Sequence, residues 1–257
     1  MRCWIEMRFV QHPNLPASPV RHLLIGRKYA DFVTNLLEIR GILPIFVPDN
    51  VNVDQRLSGH ADLSVLHLGG NRVLYADFLK ENRFLRQLSA IGAEPIPAEI
   101  EQNPAYPQDC GLNVCILGNK LICREMPAKA ITDNILTIRE TLLVRQGYAR
   151  CSVCVVDERS ALTADPGIAQ ALERHGIDVL LVRPDLAVLP GYDCGFIGGA
   201  SFKTGPDELA FTGTIQDSME RGRIEDFLLE RNIKPVYLTA DKPLDIGGAI
   251  PLTEESE

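Results

Sequence analysis

The segment G-Y-D-C-G-F-I-G-G-A-S, residues 191–201, resembles an earlier segment, P-Q-D-C-G-L-N-V-C-I-L-G, residues 107–118. Each contains Asp-Cys-Gly, followed by an apolar run and by glycine at a position suited to a turn. Coincidence, a duplicated catalytic cysteine and internal repetition all explain such a recurrence. The sequence around the two segments decides between them, because a repeated structural unit leaves a repeated pattern of helices and strands.

Five stretches along the chain have the apolar spacing of an amphipathic helix and end at a residue that tolerates a left-handed conformation. After each stop the sequence predicts a short strand, and in several units a further strand then turns at Gly or Asn and returns. The two Asp-Cys-Gly segments occupy the same place in the second and fourth units. The predicted helices are 28–41, 76–92, 132–147, 165–176 and 221–232, with stops at Gly41, Gly92, Gly147, Gly176 and Asn232.

The ends of the chain distinguish a ring from an open array of these units. The last unit finishes with one strand and no return, whereas the strand predicted at 20–27 precedes the first helix without a partner. Pairing these two strands removes exposed sheet edges. The sequence therefore predicts a single α/β domain over 1–257, a five-bladed α/β propeller closed by its N-terminal strand. Its pseudo-repeats are roughly 28–75, 76–125, 130–164, 165–215 and 220–254.

A closed ring of five such units resembles the pentein fold of the guanidine-modifying enzymes. That superfamily includes arginine and agmatine deiminases, dimethylarginine hydrolases and amidinotransferases. The resemblance runs from about Arg21 to Glu254. His60-Ala61-Asp62 is similar to the family's His-x-Asp motif, and the segment 244–255, L-D-I-G-G-A-I-P-L-T-E-E, is similar to its final Gly-Gly-x-x-His-Cys-x-Thr segment.

The resemblance implies that functional residues meet at the axis of the ring. His60 and Asp62 are then the catalytic candidates. Asp109 in Q-D-C-G also matches a local pattern of the family. Asp193 and Asp245 occupy the corresponding place in their own units, so these three aspartates are the ligand-binding candidates.

Converging carboxylates need a cation or take up protons, since two of them about 5 Å apart repel by roughly 3 kcal/mol at an effective dielectric constant near 20. A guanidinium group fits because its planar fork bonds carboxylates in pairs. An amine, a metal ion, or an internal arginine such as Arg124 or Arg150 are other sources of positive charge. Alternatively, each aspartate only caps a turn before its strand.

The nucleophile of the resembled enzymes has no direct counterpart. They use a cysteine near the C-terminus to attack the guanidinium carbon, whereas here Gly247-Gly248 leads through Ala-Ile into Pro251, without His-Cys. Cys110 and Cys194 are the substitute candidates, although each follows an aspartate that would raise its pKa. The alternative is that both are packed thiols. C-S-V-C at 151–154 is interpreted as part of a strand with opposed side chains, so no metal or cofactor is predicted.

Bulk composition narrows the class of protein. The 257 residues carry a formal charge of −8 without a basic stripe, which disfavours nucleic acid as a partner. We find no apolar run long enough for a membrane span and no signal peptide. The seven cysteines lie mostly in apolar runs, which indicates reduced thiols in the cytoplasm. The oligomeric state stays open.

Two functional hypotheses remain. The first is an enzyme that binds a small guanidino or amine cation at the ring centre, as a variant amidinohydrolase or deiminase. The second is a non-catalytic pentein that binds a ligand, a protein or the ribosome. The superfamily includes a ribosomal anti-association factor, which gives the second hypothesis a precedent.

Overall fold

The computed structural model describes residues 6–100, 102–125, 129–135, 138 and 140–256. These residues form short strands and short helices. The strands are β1 Met7–Phe9, β2 Val20–Gly26, β3 Leu43–Val47, β4 Val65–His67, β5 Arg72–Tyr75, β6 Glu94–Pro97, β7 Cys115–Leu117, β8 Lys120–Cys123, β9 Glu140–Leu143, β10 Val153–Asp157, β11 Ser160–Thr163, β12 Asp178–Leu181, β13 Ser201–Gly205, β14 Glu208–Phe211, β15 Lys234–Tyr237 and β16 Ile250–Glu255. The helices are α1 Ala30–Glu38, α2 Arg83–Ala90, α3 Lys129–Asn134, α4 Ala149–Ser152, α5 Pro166–Arg174 and α6 Ser218–Leu229.

The strands form five small sheets with one shared pattern. Four sheets have the orders β4-β5-β6, β7-β8-β9, β10-β11-β12 and β13-β14-β15. In each, the first two strands are antiparallel and the third is parallel to the second. The fifth sheet, β1-β16-β2-β3, repeats this pattern with β16, β2 and β3. The internal repetition predicted from the sequence is therefore present as a repeated sheet.

The two ends of the chain lie in the fifth sheet. Leu24 of β2 lies opposite Ile250 of β16 in an antiparallel pair, and β1 covers the other edge of β16. The predicted pairing of the strand at 20–27 with the last strand is thus confirmed. It removes the exposed edge that each of these strands would present alone.

The apolar core is divided into clusters, five of which take residues from two sheets each. All the residues involved are almost fully buried, so each sheet is held to its neighbours by burial of apolar area, which contributes about 25 cal/mol per Å². Pairs that share a cluster are Leu24 and Val73, Leu74 and Leu121, Ile122 and Val153, Leu162 and Leu209, and Phe202 and Leu23. The fifth cluster joins the β13-β14-β15 sheet to the sheet that holds both chain ends.

The predicted helix stops agree with the structure at four positions. Gly41, Gly92, Gly176 and Asn232 all have positive φ values, between 57° and 88°. The start of α5 is also confirmed, because the Asp165 carboxylate accepts hydrogen bonds from the first helical N–H groups and proline follows it.

The helix predicted at 132–147 is wrong. The described part of this stretch contains the end of α3 and then β9, whose residues pair with β8 in the parallel direction. Leu142 is buried and Leu143 is exposed, which is the alternation of a strand. The apolar residues suit either period, and pairing with β8 selects the strand.

The strand predicted at 148–156 begins later than expected. Residues Ala149–Ser152 form α4, and only Val153–Asp157 form β10. Cys151 and Cys154 therefore lie in different elements, and the interpretation of C-S-V-C as a continuous strand is wrong. None of the described helices is long or apolar enough to cross a membrane.

Glycine allows two backbone segments to meet beside the buried centre of the molecule. A methyl group at Gly26, the last residue of β2, would overlap the carbonyl oxygen of Gly59. Gly59 directly precedes His60, so this backbone contact fixes where the His60 segment lies relative to β2. No larger residue fits at position 26 unless the His60 segment moves.

Substitution at Gly26 tests this constraint. We expect Gly26→Ala to lower the free energy of unfolding by about 2–4 kcal/mol, because the added methyl group overpacks a backbone contact. Gly222→Ala is the matched control, since Gly222 lies inside α6 with open space around it, and there alanine should add about 0.5–1 kcal/mol. Urea denaturation measures both, and wild-type stability of Gly26→Ala would contradict the prediction.

Candidate functional site

A thiol, an imidazole and a carboxyl group meet in the interior. Cys151 in α4 donates a hydrogen bond from Sγ to Oδ2 of Asp62 at 2.8 Å, and Nδ1 of His60 lies 4.0 Å from the same sulfur. His60 and Asp62 belong to the turn that leads into β4, whereas α4 leads into β10. Each of the three residues is only 2% exposed. Two separate sheets thus bring these groups together.

Two polar atoms of this cluster have no hydrogen-bond partner among the described residues. They are Nε2 of His60 and Oδ1 of Asp62, and both are buried. An unsatisfied buried polar atom costs about 1–3 kcal/mol, so native proteins rarely keep one without a reason. The pair is therefore a sign of a ligand-binding or reactive site.

Asp245 lies beside this cluster and is also fully buried. Its Oδ1 is 4.0 Å from Nε2 of His60. Its carboxylate accepts hydrogen bonds from the backbone N–H groups of Phe196, at 2.8 Å, and Gly247, at 3.0 Å. Asp245 therefore both holds a turn, as the capping alternative expected, and faces the imidazole.

Asn113 fixes the start of the segment that carries the thiol. Its Oδ1 accepts from the backbone N–H groups of Arg150, at 2.8 Å, and Cys151, at 3.3 Å. Its Nδ2 donates to Sγ of Cys151 at 3.3 Å. Asn113 is fully buried, so it holds the sulfur in a defined position.

Neither arginine suggested as an internal counter-charge forms an ion pair with a cluster carboxylate in the described part of the chain. Arg150 is 6% exposed, and its Nη1 donates to the carbonyl oxygen of Gly198 at 3.2 Å. Arg124 instead places its guanidinium 5.4 Å from the ring centre of Tyr106. Direct neutralisation by hydrogen bonding is therefore absent for Asp62 and Asp245 among these residues.

The remaining candidate residues lie apart from the cluster contacts. Asp109 is buried, accepts a hydrogen bond from the Tyr148 hydroxyl, and keeps Oδ1 without a partner among the described residues. Asp193 and Cys194 are exposed, because they lie in the irregular segment before β13. Cys110 is buried, and its thiol donates to the carbonyl oxygen of Pro107 at 2.9 Å.

Cys151 is the member of the site that the sequence did not indicate. Its neighbours in C-S-V-C suggested a strand, in which its side chain had no special direction. The signal was present in the repeat: a short helical turn precedes β4 at Ala61–Leu63, β7 at Gln108–Cys110 and β10 at Ala149–Ser152. Aligning these turns places Cys151 at the same end of its sheet as His60-Ala61-Asp62.

Burial dominates the electrostatics of the cluster. It raises the pKa of Asp62 to about 6, against the opposing effects of His60, the Cys151 hydrogen bond and Arg150. Burial, followed by the charges of Asp62 and Asp245, also holds the pKa of Cys151 well above its usual range. The resting sulfur is therefore a thiol. Burial likewise raises the pKa of Cys110 to about 12.

The cavities show little free space at this site. A cavity of about 10 Å³, lined in part by Asp62, His67 and Arg150, is large enough for roughly one water molecule. A groove of about 580 Å³ lies between hairpin turns, with Lys120 and Arg159 among its lining residues. None of the predicted site residues lines that groove, so its size does not make it the reactive site.

Comparison with solved structures shows which known proteins have a similar fold. Inosamine-phosphate amidinotransferase from Streptomyces griseus is similar at a TM-score of 0.59 and 9% identity, covering 97% of this chain and 97% of the enzyme. C. jejuni agmatine deiminase gives 0.58 at 9% identity, covering 98% and 97%. DDAH from Pseudomonas aeruginosa gives 0.54 at 8% identity, covering 93% and 100%. The mixed α/β fold of small sheets is thus similar to that of guanidine-modifying enzymes.

Sequence comparison gives a family without an activity. Residues 24–250 match the model of a family described as "Family of unknown function (DUF6873)". No curated protein matches the chain in sequence.

The raised pKa of Asp62 predicts a pH-dependent stability. Its neutral carboxyl stabilises the folded state fully below pH 4, and that contribution is lost as the pH rises to about 6. Asp62→Asn should remove this dependence and raise the free energy of unfolding at pH 7 by on the order of 3 kcal/mol. The asparagine oxygen can still accept the thiol hydrogen bond.

Urea denaturation between pH 4 and pH 8 measures the effect as a difference between variants. Asp193→Asn, at an exposed position, is the matched control and should follow the wild-type profile. Parallel profiles for wild type and Asp62→Asn would contradict the assignment.

Proposed function

Because this chain belongs to the DUF6873 family, whose function is unknown, we propose a function from its own buried site. The protein binds a small guanidino or amine cation and acts on it through the Cys151 thiol. The observation that carries this proposal is the meeting of Cys151, His60 and Asp62, with two polar atoms left unpaired.

The proposal includes a closed ring of five sheets with the cluster at its centre. Five apolar clusters link the sheets in succession, and the fifth returns to the sheet that contains β16 and β2. The antiparallel pairing of these strands and the likeness to solved guanidine-modifying enzymes support the same arrangement. A ring of this kind directs the turns before β4, β10 and β16 toward one axis.

The charges of the cluster suit a planar cation. Oδ1 of Asp62 is free to accept a hydrogen bond, and Asp245 is the second carboxylate beside His60. A guanidinium donates several hydrogen bonds from N–H groups that lie in one plane, and its positive charge balances the negative charge of the carboxylates. Binding such a cation near the sulfur also favours the thiolate, because an adjacent positive charge lowers a thiol pKa.

The reaction then follows from the positions of the groups. His60 takes the proton of the thiol, directly or through Asp62, and the sulfur attacks the central carbon of the bound guanidino group. The departing amine receives that proton, and the carbon remains attached to sulfur. Water, or an acceptor amine, displaces the sulfur in the second step and restores the thiol. Displacement by water is hydrolysis, and displacement by an acceptor amine is group transfer.

Access requires movement, because the three reacting residues are almost fully buried. The segment at 53–57 packs next to Asp62 through Leu57 and Leu63, in a cluster that also contains Leu189. Arg56 in this segment donates from Nη1 to the carbonyl oxygen of Gly191 at 2.8 Å and lies 4.2 Å from the ring centre of Tyr192. This exposed contact is the one we expect to open for a substrate.

A non-catalytic binding protein is the second candidate function. It is favoured by the closed site and by the burial that keeps Cys151 protonated. A binder should gain thermal stability with guanidino compounds or polyamines, or retain ribosomal subunits in a pull-down, and release no product. The two candidates thus differ in turnover.

Turnover tests the proposed function. We expect release of ammonia, urea or citrulline, or amidino transfer to an added amine, from at least one compound among arginine, agmatine and methylated arginines. Cys151→Ser should reduce that rate on the order of 10³-fold or more, because the nucleophile is lost. Cys194→Ser tests the exposed thiol and should retain the rate. Turnover that survives Cys151→Ser, or a folded protein inert toward all of these compounds, contradicts the proposal.

A further inference from the structure

The cluster has a second chemical capacity, which does not depend on guanidino chemistry. A nitrogen of His60, a carboxylate oxygen of Asp62 and Sγ of Cys151 all lie within 4.8 Å of one another, and all three residues are buried. We propose that these three side chains bind a single divalent ion of the zinc class.

The separations suit such an ion. Tetrahedral zinc bonds sulfur at about 2.3 Å and nitrogen or oxygen at about 2.0–2.2 Å, which puts neighbouring ligand atoms roughly 3.6 Å apart. The observed distances, 4.0 Å from Sγ to Nδ1 of His60 and 2.8 Å from Sγ to Oδ2 of Asp62, lie on either side of this value. The shorter one is a thiol hydrogen bond, which disappears when the metal displaces the thiol proton.

The partners around the three ligands match those of metal sites. With Nδ1 of His60 toward the sulfur, Nε2 faces Oδ1 of Asp245 at 4.0 Å. A shift of about 1 Å would form the hydrogen bond that carboxylate–histidine–metal arrangements contain. Nδ2 of Asn113 already donates to the sulfur, a bond that a metal-bound thiolate keeps. Asp245 and Asn113 would therefore orient two of the three ligands.

Limited space favours an ion as the occupant. The cavity beside Asp62 holds only about 10 Å³, whereas an ion sits between its ligands and needs no further cavity. One sulfur, one nitrogen and one oxygen donor select Zn²⁺ or Co²⁺ over Mg²⁺ and Ca²⁺, which prefer oxygen alone.

Binding is balanced by release of the thiol proton to solvent, since the ligand is the thiolate. The sulfur lone pair is then held by the metal and does not attack carbon. Metal binding and the thiol chemistry proposed above are therefore mutually exclusive at Cys151. Three protein ligands leave a fourth position for water or another small donor.

Cobalt gives a direct measurement, because thiolate-bound Co²⁺ absorbs strongly in the near ultraviolet. Chelator-treated full-length protein should take up one equivalent of Co²⁺ with this band, and Zn²⁺ should displace it. Cys151→Ser should abolish the band, and Asp62→Asn should weaken binding about tenfold or more. Cys154→Ala, which removes a buried thiol outside the cluster, should leave both unchanged. Circular dichroism confirms that each variant is folded.

Thermal unfolding with and without Zn²⁺ supplies a second readout, since a ligand of the folded state raises the melting temperature. The shift should occur in wild type and Cys154→Ala and be absent in Cys151→Ser. Absence of uptake in wild type, or uptake unchanged in Cys151→Ser and Asp62→Asn, overturns the metal site.

The same samples separate the two proposals. Guanidino turnover by metal-free protein that binds no Co²⁺ removes the metal site and leaves the proposed function. Stoichiometric Co²⁺ binding by a protein without turnover does the reverse. Turnover by the metal-free protein that falls as Zn²⁺ fills the site agrees with both.

Discussion

Close approach of backbone segments around the buried cluster is the constraint on which the rest of this structure depends. Gly26 lies against the Gly59 carbonyl, and side chains at Gly199 and Gly247 would overlap Asp245 and His60 respectively. A side chain at any of these positions would push a sheet away from its neighbours. His60, Cys151 and Asp245 precede strands of three different sheets. The distances within the cluster therefore depend on these glycines. Packing is therefore the first requirement that the Gly-Gly pairs at 198–199 and 247–248 meet.

The chemistry of the cluster is set by the removal of water. Asp62 and Asp245 are buried side by side with a thiol and an imidazole, and burial is the first cause of the shifted pKa of both Asp62 and Cys151. A positive charge entering this site would lower the pKa of both Asp62 and Cys151. A guanidinium and a metal ion are two chemically distinct ways to supply that charge. The charge of a ligand therefore matters more than its shape for binding at this cluster.

The sequence predicted the repeat, four of the five helix stops and the pairing of the strand at 20–27 with the last strand, because these depend on local signals such as Gly41 and Asp165. It indicated His60, Asp62 and Asp245, which the structure brings together. It missed β9 and α4, because their apolar residues suit a helix or a strand equally well and only the neighbouring strand decides. Cys151 was missed because C-S-V-C was interpreted as a strand, whereas Cys151 lies in α4 and its side chain reaches Asp62. Asp193 shares a motif with Asp109, yet its loop lies at the surface, where no packing directs it inward.

The pairing of β16 with β2 also affects how the chain folds during its synthesis. Four of the sheets consist of strands that are near one another in sequence, so each has its partners soon after synthesis. The fifth places Leu24 against Ile250, so it forms only after Ile250 has been synthesised. Until then β2 has an uncovered edge on the side that β16 later occupies. In the nascent chain, β2 therefore needs protection from aggregation for longer than the strands of the other four sheets.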